Sequence, residues 1–223
     1  MRLACISSIA VLALLVSGAP ASSAASVHRA SSRCPATHSR LIAADTQAEV
    51  YARAEGGEPE EFYACAFGAK HVYDLGSGPP DLSAEGGSED RDFTLGGAML
   101  AFESYWFTSF PEPGAVECEQ DVVVKNLRTG RVLHRVTTGT SSPPSLCFGA
   151  VLSLLVNSEG ATAWVADGRQ PETKVRLSEV HLVDSAGSQL LASSTEIEPL
   201  SLALGGSTLY WTQGGKPASA LVN

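Results

Sequence analysis

The chain has 223 residues, 44% of them apolar and 17% charged, with a formal net charge of −9. That acidic balance argues against a nucleic-acid partner, whose phosphates demand basic surface, and the length is ample for one hydrophobic core. Five cysteines are the other compositional signal, and their meaning depends on the compartment.

Residues 1–25 read as a secretory signal. Arg2 gives a short basic start, and Ile9-Ala-Val-Leu-Ala-Leu-Leu-Val16 an apolar core. The small residues Ser17-Gly-Ala-Pro-Ala-Ser-Ser-Ala-Ala25 then offer a peptidase site. The apolar core is far shorter than the roughly 20 residues that span a bilayer, and no later segment is long or apolar enough, so no transmembrane anchor is expected. Cys5 precedes the core and leaves with the signal, which argues against lipidation. Cys34, Cys65, Cys118 and Cys147 remain, an even set for an oxidising compartment. Four cysteines allow three connectivities. Pairing of sequence neighbours, Cys34 with Cys65 and Cys118 with Cys147, is the expectation, each loop contributing roughly 3–4 kcal/mol in the chain-entropy model. No close pair or neighbouring histidine gives these thiols zinc spacing. The mature protein is expected to be secreted or on the exterior of the cell envelope, with residues 26–40 as an N-terminal segment and 41–223 as a single domain.

Beyond residue 40, short β-branched or aromatic runs alternate with Gly, Asn and Asp turns, and no stretch keeps helical spacing. In chain order, Asp45-Thr-Gln-Ala-Glu-Val-Tyr-Ala52 is the faintest of four related segments. It is followed by a hairpin from Phe62-Tyr-Ala-Cys-Ala66 into His71-Val-Tyr-Asp-Leu75. Residues 76–80, rich in Gly and Pro, and the acidic stretch 81–92 read as a loop between units. Leu95-Gly-Gly-Ala-Met-Leu-Ala-Phe102 is the second segment, with a hairpin from Asp121-Val-Val-Val-Lys-Asn126 into Arg131-Val-Leu-His-Arg-Val136. Val156-Asn-Ser-Glu-Gly-Ala-Thr-Ala-Trp164 is the third, followed by Val180-His-Leu-Val-Asp184 and Gln189-Leu-Leu-Ala192. Leu204-Gly-Gly-Ser-Thr-Leu-Tyr-Trp211 matches the second closely, and Ala218-Ser-Ala-Leu-Val222 reads as a further strand. Each segment is an apolar strand, a tight turn and a second strand.

Two hairpins per unit predict a four-stranded antiparallel unit recurring every 45–60 residues or so, about the size of a propeller blade. These segments resemble the divergent WD40-like and TolB-like β-propeller repeats of exported bacterial proteins. The resemblance implies an all-β, propeller-like array of about four units, and a binding or scaffold role more often than catalysis. A closed ring would draw on residues 31–41 to complete the last unit; otherwise the sheet edges stay open to a partner. A two-sheet β-sandwich is the alternative.

Chemistry is sparsely signalled. No G-x-S-x-G, S-x-x-K or H-E-x-x-H occurs, and Ser141, Ser142, Ser193 and Ser194 read as loop serines. His28, His38, His71, His134 and His181 are not spaced as ligands. The last three fall in second-hairpin regions, where they read more simply as unrelated strand residues than as a metal site. Glu55, Glu58, Glu60 and Glu61, and then Glu85, Glu89, Asp90 and Asp92, lack the alternating Asp and Gly of a calcium loop. No metal or other cofactor is expected. In Phe102-Glu-Ser-Tyr-Trp-Phe-Thr-Ser-Phe110, Phe102, Trp106 and Phe110 share one strand face, and Tyr105 and Phe107 the other. Tyr105 and Phe107 are the candidate platform for a sugar or peptide, against burial between units. Lys125, Arg128, Arg131 and Arg135 form a basic hairpin, read as a solvated face that an anionic glycan could also use. The function expected is non-enzymatic binding of a protein or glycan partner. The alternative is an exported hydrolase, for instance a carbohydrate-active one, whose carboxylates converge from separate units.

Overall fold

The alternation of apolar runs and turns is realised as strands throughout. The computed structural model of the chain describes residues 34, 39–54, 60–77, 86–109, 116–141, 149–169 and 175–223, which carry fifteen strands and no helix. All of them fall within the compact unit Ser31–Asn223.

The strands form four antiparallel meanders in sequence order. Sheet 1 holds β1 (Arg40–Ala44), β2 (Ala48–Arg53), β3 (Glu61–Ala66) and β4 (Val72–Ser77). Sheet 2 holds β5 (Gly86–Gly96), β6 (Met99–Ser109), β7 (Val116–Asn126) and β8 (Val132–Ser141). Sheet 3 holds β9 (Val151–Val156), β10 (Thr162–Arg169), β11 (Arg176–Asp184) and β12 (Gly187–Ser194). Sheet 4 has three strands, β13 (Ala203–Gly205), β14 (Thr208–Gln213) and β15 (Lys216–Leu221). Each of the four related segments supplies the turn between the first two strands of one sheet.

Short polar side chains close these turns by accepting backbone N–H groups, the Asx geometry that favours Asp and Asn there. Asn157 Oδ1 accepts from Glu159 at 3.0 Å and Ala161 at 2.9 Å. Asn126 Oδ1 accepts from Arg128 at 2.9 Å. Asp45 reaches further, taking the Gly97 N–H of sheet 2 at 2.7 Å. Asp184 takes the N–H groups of Ala186 at 2.8 Å and Asn223 at 2.9 Å, and these bonds hold its carboxyl below the ordinary range.

Three apolar cores lie between successive sheets. Ala48, Val50 and Ala64 of sheet 1 pack on Leu100, Phe102 and Val123 of sheet 2. Ala101, Val122 and Val124, on the opposite face of sheet 2, pack on Leu154, Trp164 and Val183 of sheet 3. Ala163, Val165 and Leu182 of sheet 3 then meet Leu209 and Trp211 of sheet 4. Period-two alternation sorts each set of neighbours onto the two faces, and each fully buried Val, Leu or Phe contributes about 1.5–3 kcal/mol. Trp164 and Trp211 are core residues, as expected.

Sheets 2 and 3 also meet through backbone. A Cβ on Gly96 would lie 2.4 Å from the Val156 carbonyl oxygen, so only glycine allows this approach.

The expected Cys34–Cys65 disulfide is present, fixing Cys34 to β3. Cys118 is also disulfide-bonded, and Cys147, expected as its partner, lies outside the described residues. Of residues 31–41, Arg40 and Leu41 belong to β1 and Cys34 is tied to the same sheet, so the described part of this segment builds sheet 1 and not sheet 4. In sheet 4, pairing runs outward from the Gly214-Gly215 turn and places Pro217 opposite Thr212. Alternation of bonded pairs puts its missing N–H toward the free edge, where proline interrupts no ladder.

Gly96→Ala should destabilise the fold by about 2–3 kcal/mol, because backbone must shift to admit the methyl; an unchanged thermal melting temperature would contradict the close approach. The Cys34→Ser, Cys65→Ser double variant should lose about 3–4 kcal/mol, read from denaturant midpoints at unchanged slope.

Candidate functional site

The strands of sheet 2 run to 10–11 residues, whereas those of sheet 1 are 5–6 long. Apolar packing against sheet 1 ends at Phe102 and Val123. Past that line the same face of sheet 2 turns polar. Asp90 of β5 pairs across to Ser104 of β6, Ser104 to Asp121 of β7, and Asp121 to Thr137 of β8, so these four side chains form one lateral row. In the next row, Ser88 and Glu119 flank Trp106, which is 42% exposed. A large aromatic left this open beside a row of hydrogen-bonding groups is the feature of the described surface that most resembles a ligand platform.

The row is internally organised. Asp121 is only 5% exposed, and it accepts from Arg135 Nη1 at 2.5 Å and from the Thr137 hydroxyl at 2.9 Å. Asp90 lacks such a cationic partner at hydrogen-bond distance among the described residues. Burial pushes its carboxyl up to about 6, while the Ser104 hydroxyl and the charges of Arg135 and Lys125 pull it down and Asp74 pushes it further up. Lys125 is itself lowered by burial and lies over the Tyr73 ring at 4.5 Å.

The opposite face of sheet 2 carries Tyr105 and Phe107, the aromatic pair singled out from the sequence. Phe107 is 4% exposed, and Tyr105 is half-buried, stacked on it with centroids 5.9 Å apart. Arg91 lies over the Tyr105 ring at 5.6 Å. Deeper on this face, Glu103 is fully buried. It accepts from Arg91 Nε at 2.6 Å and from the Val151 N–H of β9 at 3.3 Å. A bulge between Arg91 and Thr94 re-aims the chain here. Asp92, within it, adopts φ 54°, a left-handed conformation that Asp tolerates better than most residues. The bulge lets Phe93 pack on Phe62 and Phe102 toward sheet 1 while the Asp92 carboxyl hydrogen-bonds Glu103. Burial raises the Asp92 carboxyl, and the neighbouring Glu103 charge adds to the rise.

The remaining candidates disperse. Glu55, Glu58, Glu85, His28, His38 and Ser142 lie outside the described residues, as do the side chains of Phe110 and Ser141. Glu60 pairs with Arg40, and Glu61 accepts from the Tyr63 hydroxyl. His181 stacks on Trp164 at 5.1 Å, and burial lowers its pKa against the pull of Glu179. His71 contacts Tyr73, and Arg128 donates to Gln47 at 2.9 Å. Ser194 accepts the Glu196 N–H at 3.1 Å. Among the described residues, no group of three or more His, Cys, Asp or Glu side chains is arranged to hold a metal ion, and no helix is long and apolar enough to cross a membrane. Sequence reasoning placed Trp106 and Tyr105 on opposite faces, as the register has them, and favoured the face where Phe107 is buried and Arg91 lies over Tyr105. It missed Glu103, which sits unmarked inside the aromatic run.

No protein-family model matches the chain, and no curated protein matches it either.

Two expectations follow from these charges. A raised carboxyl favours the folded state at low pH, so the contribution of Asp90 is present below pH about 4 and lost as pH rises to about 6. Asp90→Asn should therefore match the parent protein in melting temperature at pH 4 and exceed it at pH 7; a lower value at pH 7 would show that the ionised carboxylate stabilises the fold. Arg91→Met should cost about 3 kcal/mol by leaving the buried Glu103 charge without its partner. Adding Glu103→Gln should restore part of that loss in a double-mutant cycle.

Proposed function

We propose that this chain is an exported, non-enzymatic binding protein whose four sheets form a propeller-like array, and that it holds a glycan on the Trp106 face of sheet 2. Export is supported by the leader-like residues 1–25 and by the Cys34–Cys65 disulfide, which suits an oxidising compartment. The array is supported by four meanders in sequence order, with cores between successive sheets, as in stacked blades.

The observation that carries the binding reading is the exposed Trp106 beside Asp90, Ser104, Asp121 and Thr137. An indole offers a flat apolar surface to the C–H face of a sugar ring, and the neighbouring oxygens suit its hydroxyls. The hydrolase alternative would have to use the carboxylates of the Trp106 face, Asp90, Glu119 and Asp121, and not the pair on the opposite face. Asp92 and Glu103 hydrogen-bond directly, whereas carboxyl groups that flank a scissile glycosidic bond stand about 5 Å or more apart.

The test is calorimetric titration of the protein lacking residues 1–25 with a panel of neutral, acidic and amino oligosaccharides, with product analysis on every mixture. Saturable binding without turnover is expected, and Trp106→Ala should weaken it at least about ten-fold at unchanged melting temperature. Reproducible cleavage of any sugar, or no binding across the panel, would overturn the reading.

A further inference from the structure

We propose that the Trp106 face selects sugars bearing a free ammonium group, that is, unacetylated amino sugars, over their N-acetylated or neutral counterparts. This rests on the glycan-binding reading above and adds the identity of the group recognised.

The side chains that share this end of the face are Ser88, Asp90, Ser104, Trp106, Glu119, Asp121, Arg135 and Thr137. Three are carboxylates and three are hydroxyls, which also accept; Arg135 is the cation among them. Its guanidinium is committed to Asp121 at 2.5 Å. Lys125, the next cation, lies over the Tyr73 ring of sheet 1, with the Asp90 and Asp74 charges both acting on it. Asp90 and Glu119 form no ion pair among the described residues. Glu119 stands directly across from Trp106 in β7. Asp90 stands diagonally across the strand pair from Trp106, a separation of about 7–8 Å that long side chains and a bound sugar ring can bridge.

A sugar stacked on the indole would therefore present its ring edge to acceptors that form no ion pair among the described residues, Asp90 feeling the charges of Arg135 and Lys125 only at longer range. An ammonium group has three donors and no acceptor, so it satisfies such a surface. An N-acetyl group brings a carbonyl that would need a donor, and its one N–H forms a weaker, uncharged bond. The net charge of −9 on the chain favours approach of a cation as well. Burial already makes Asp90 hold its proton at mildly acidic pH, so docking of an ammonium would drive that proton into solvent.

The experiment is titration at pH 6 of the protein lacking residues 1–25 with tetrameric glucosamine, tetrameric N-acetylglucosamine and tetralysine. Tetraglucosamine should bind about ten-fold or more tightly than the acetylated tetramer, which is the difference one charge-assisted hydrogen bond makes. Asp90→Asn should bring that ratio close to one with a melting temperature no lower than that of the parent protein, and Trp106→Ala should weaken both sugars. Equal binding of the two sugars by the parent protein would overturn the selection and leave the glycan reading standing. No binding of either sugar or of the neutral panel would remove the glycan reading itself. Tetralysine binding as tight as that of tetraglucosamine, and insensitive to Trp106→Ala, would show attraction to acidic surface alone and overturn the selection.

Discussion

Everything at the surface of this protein depends on how completely each sheet is covered by its neighbours. A β-sheet has two faces, and an apolar face must be buried against something. Here sheet 1 covers one face of sheet 2 and sheet 3 the other, and the core clusters alternate along the chain accordingly. Because the strands of sheet 2 are nearly twice as long as those of sheet 1, this stacking leaves part of one face uncovered. The chain answers by changing composition along the strands, from Leu100, Phe102 and Val123 to Ser104, Asp121 and Trp106. The open part around Trp106 is the candidate site, bordered by the buried Asp121.

The other face of sheet 2 shows how the contact with sheet 3 is secured. Glu103 is buried at a level where an unpaired carboxylate would be prohibitive. It is tolerated because Arg91 neutralises it, Asp92 shares a hydrogen bond with it and the Val151 N–H of the next sheet finds an acceptor in it. The bulge at Asp92 is what makes the arrangement geometrically available, since an unbroken alternation would send residue 92 to the other face. Glu103 and Gly96 thus link sheets 2 and 3 at two levels, one by a polar contact and the other by direct backbone approach.

The two faces treat charge differently for the same physical reason. Asp121 and Glu103 are deeply buried and each has an arginine. Asp90 is half-buried, and its hydrogen-bonding neighbour is the neutral Ser104, which leaves desolvation the largest influence on it. A carboxyl in that state is poorly satisfied by its own protein and correspondingly suited to a cationic group from outside.

What the sequence determined by itself was local. Period-two alternation and the Gly, Asn and Asp turns specify an all-β chain, because they set strand direction and hairpin closure within a few residues. The same local logic located the first turn of every sheet and put Trp106 and Tyr105 on opposite faces of β6. The Cys34–Cys65 link was one expectation among three connectivities that parity leaves open, and the structure selects it. Which face of β6 meets water was decided only by tertiary structure, because alternation separates two faces without saying what covers either. Phe107 is buried and Arg91 lies over Tyr105, whereas Trp106, beyond the apolar contact with sheet 1, is left open. The partnership of Arg91, Asp92 and Glu103 was equally illegible: it requires a bulge in β5 and a backbone N–H from β9, and pairing across strands so distant along the chain is set by packing and not by any local pattern of residues.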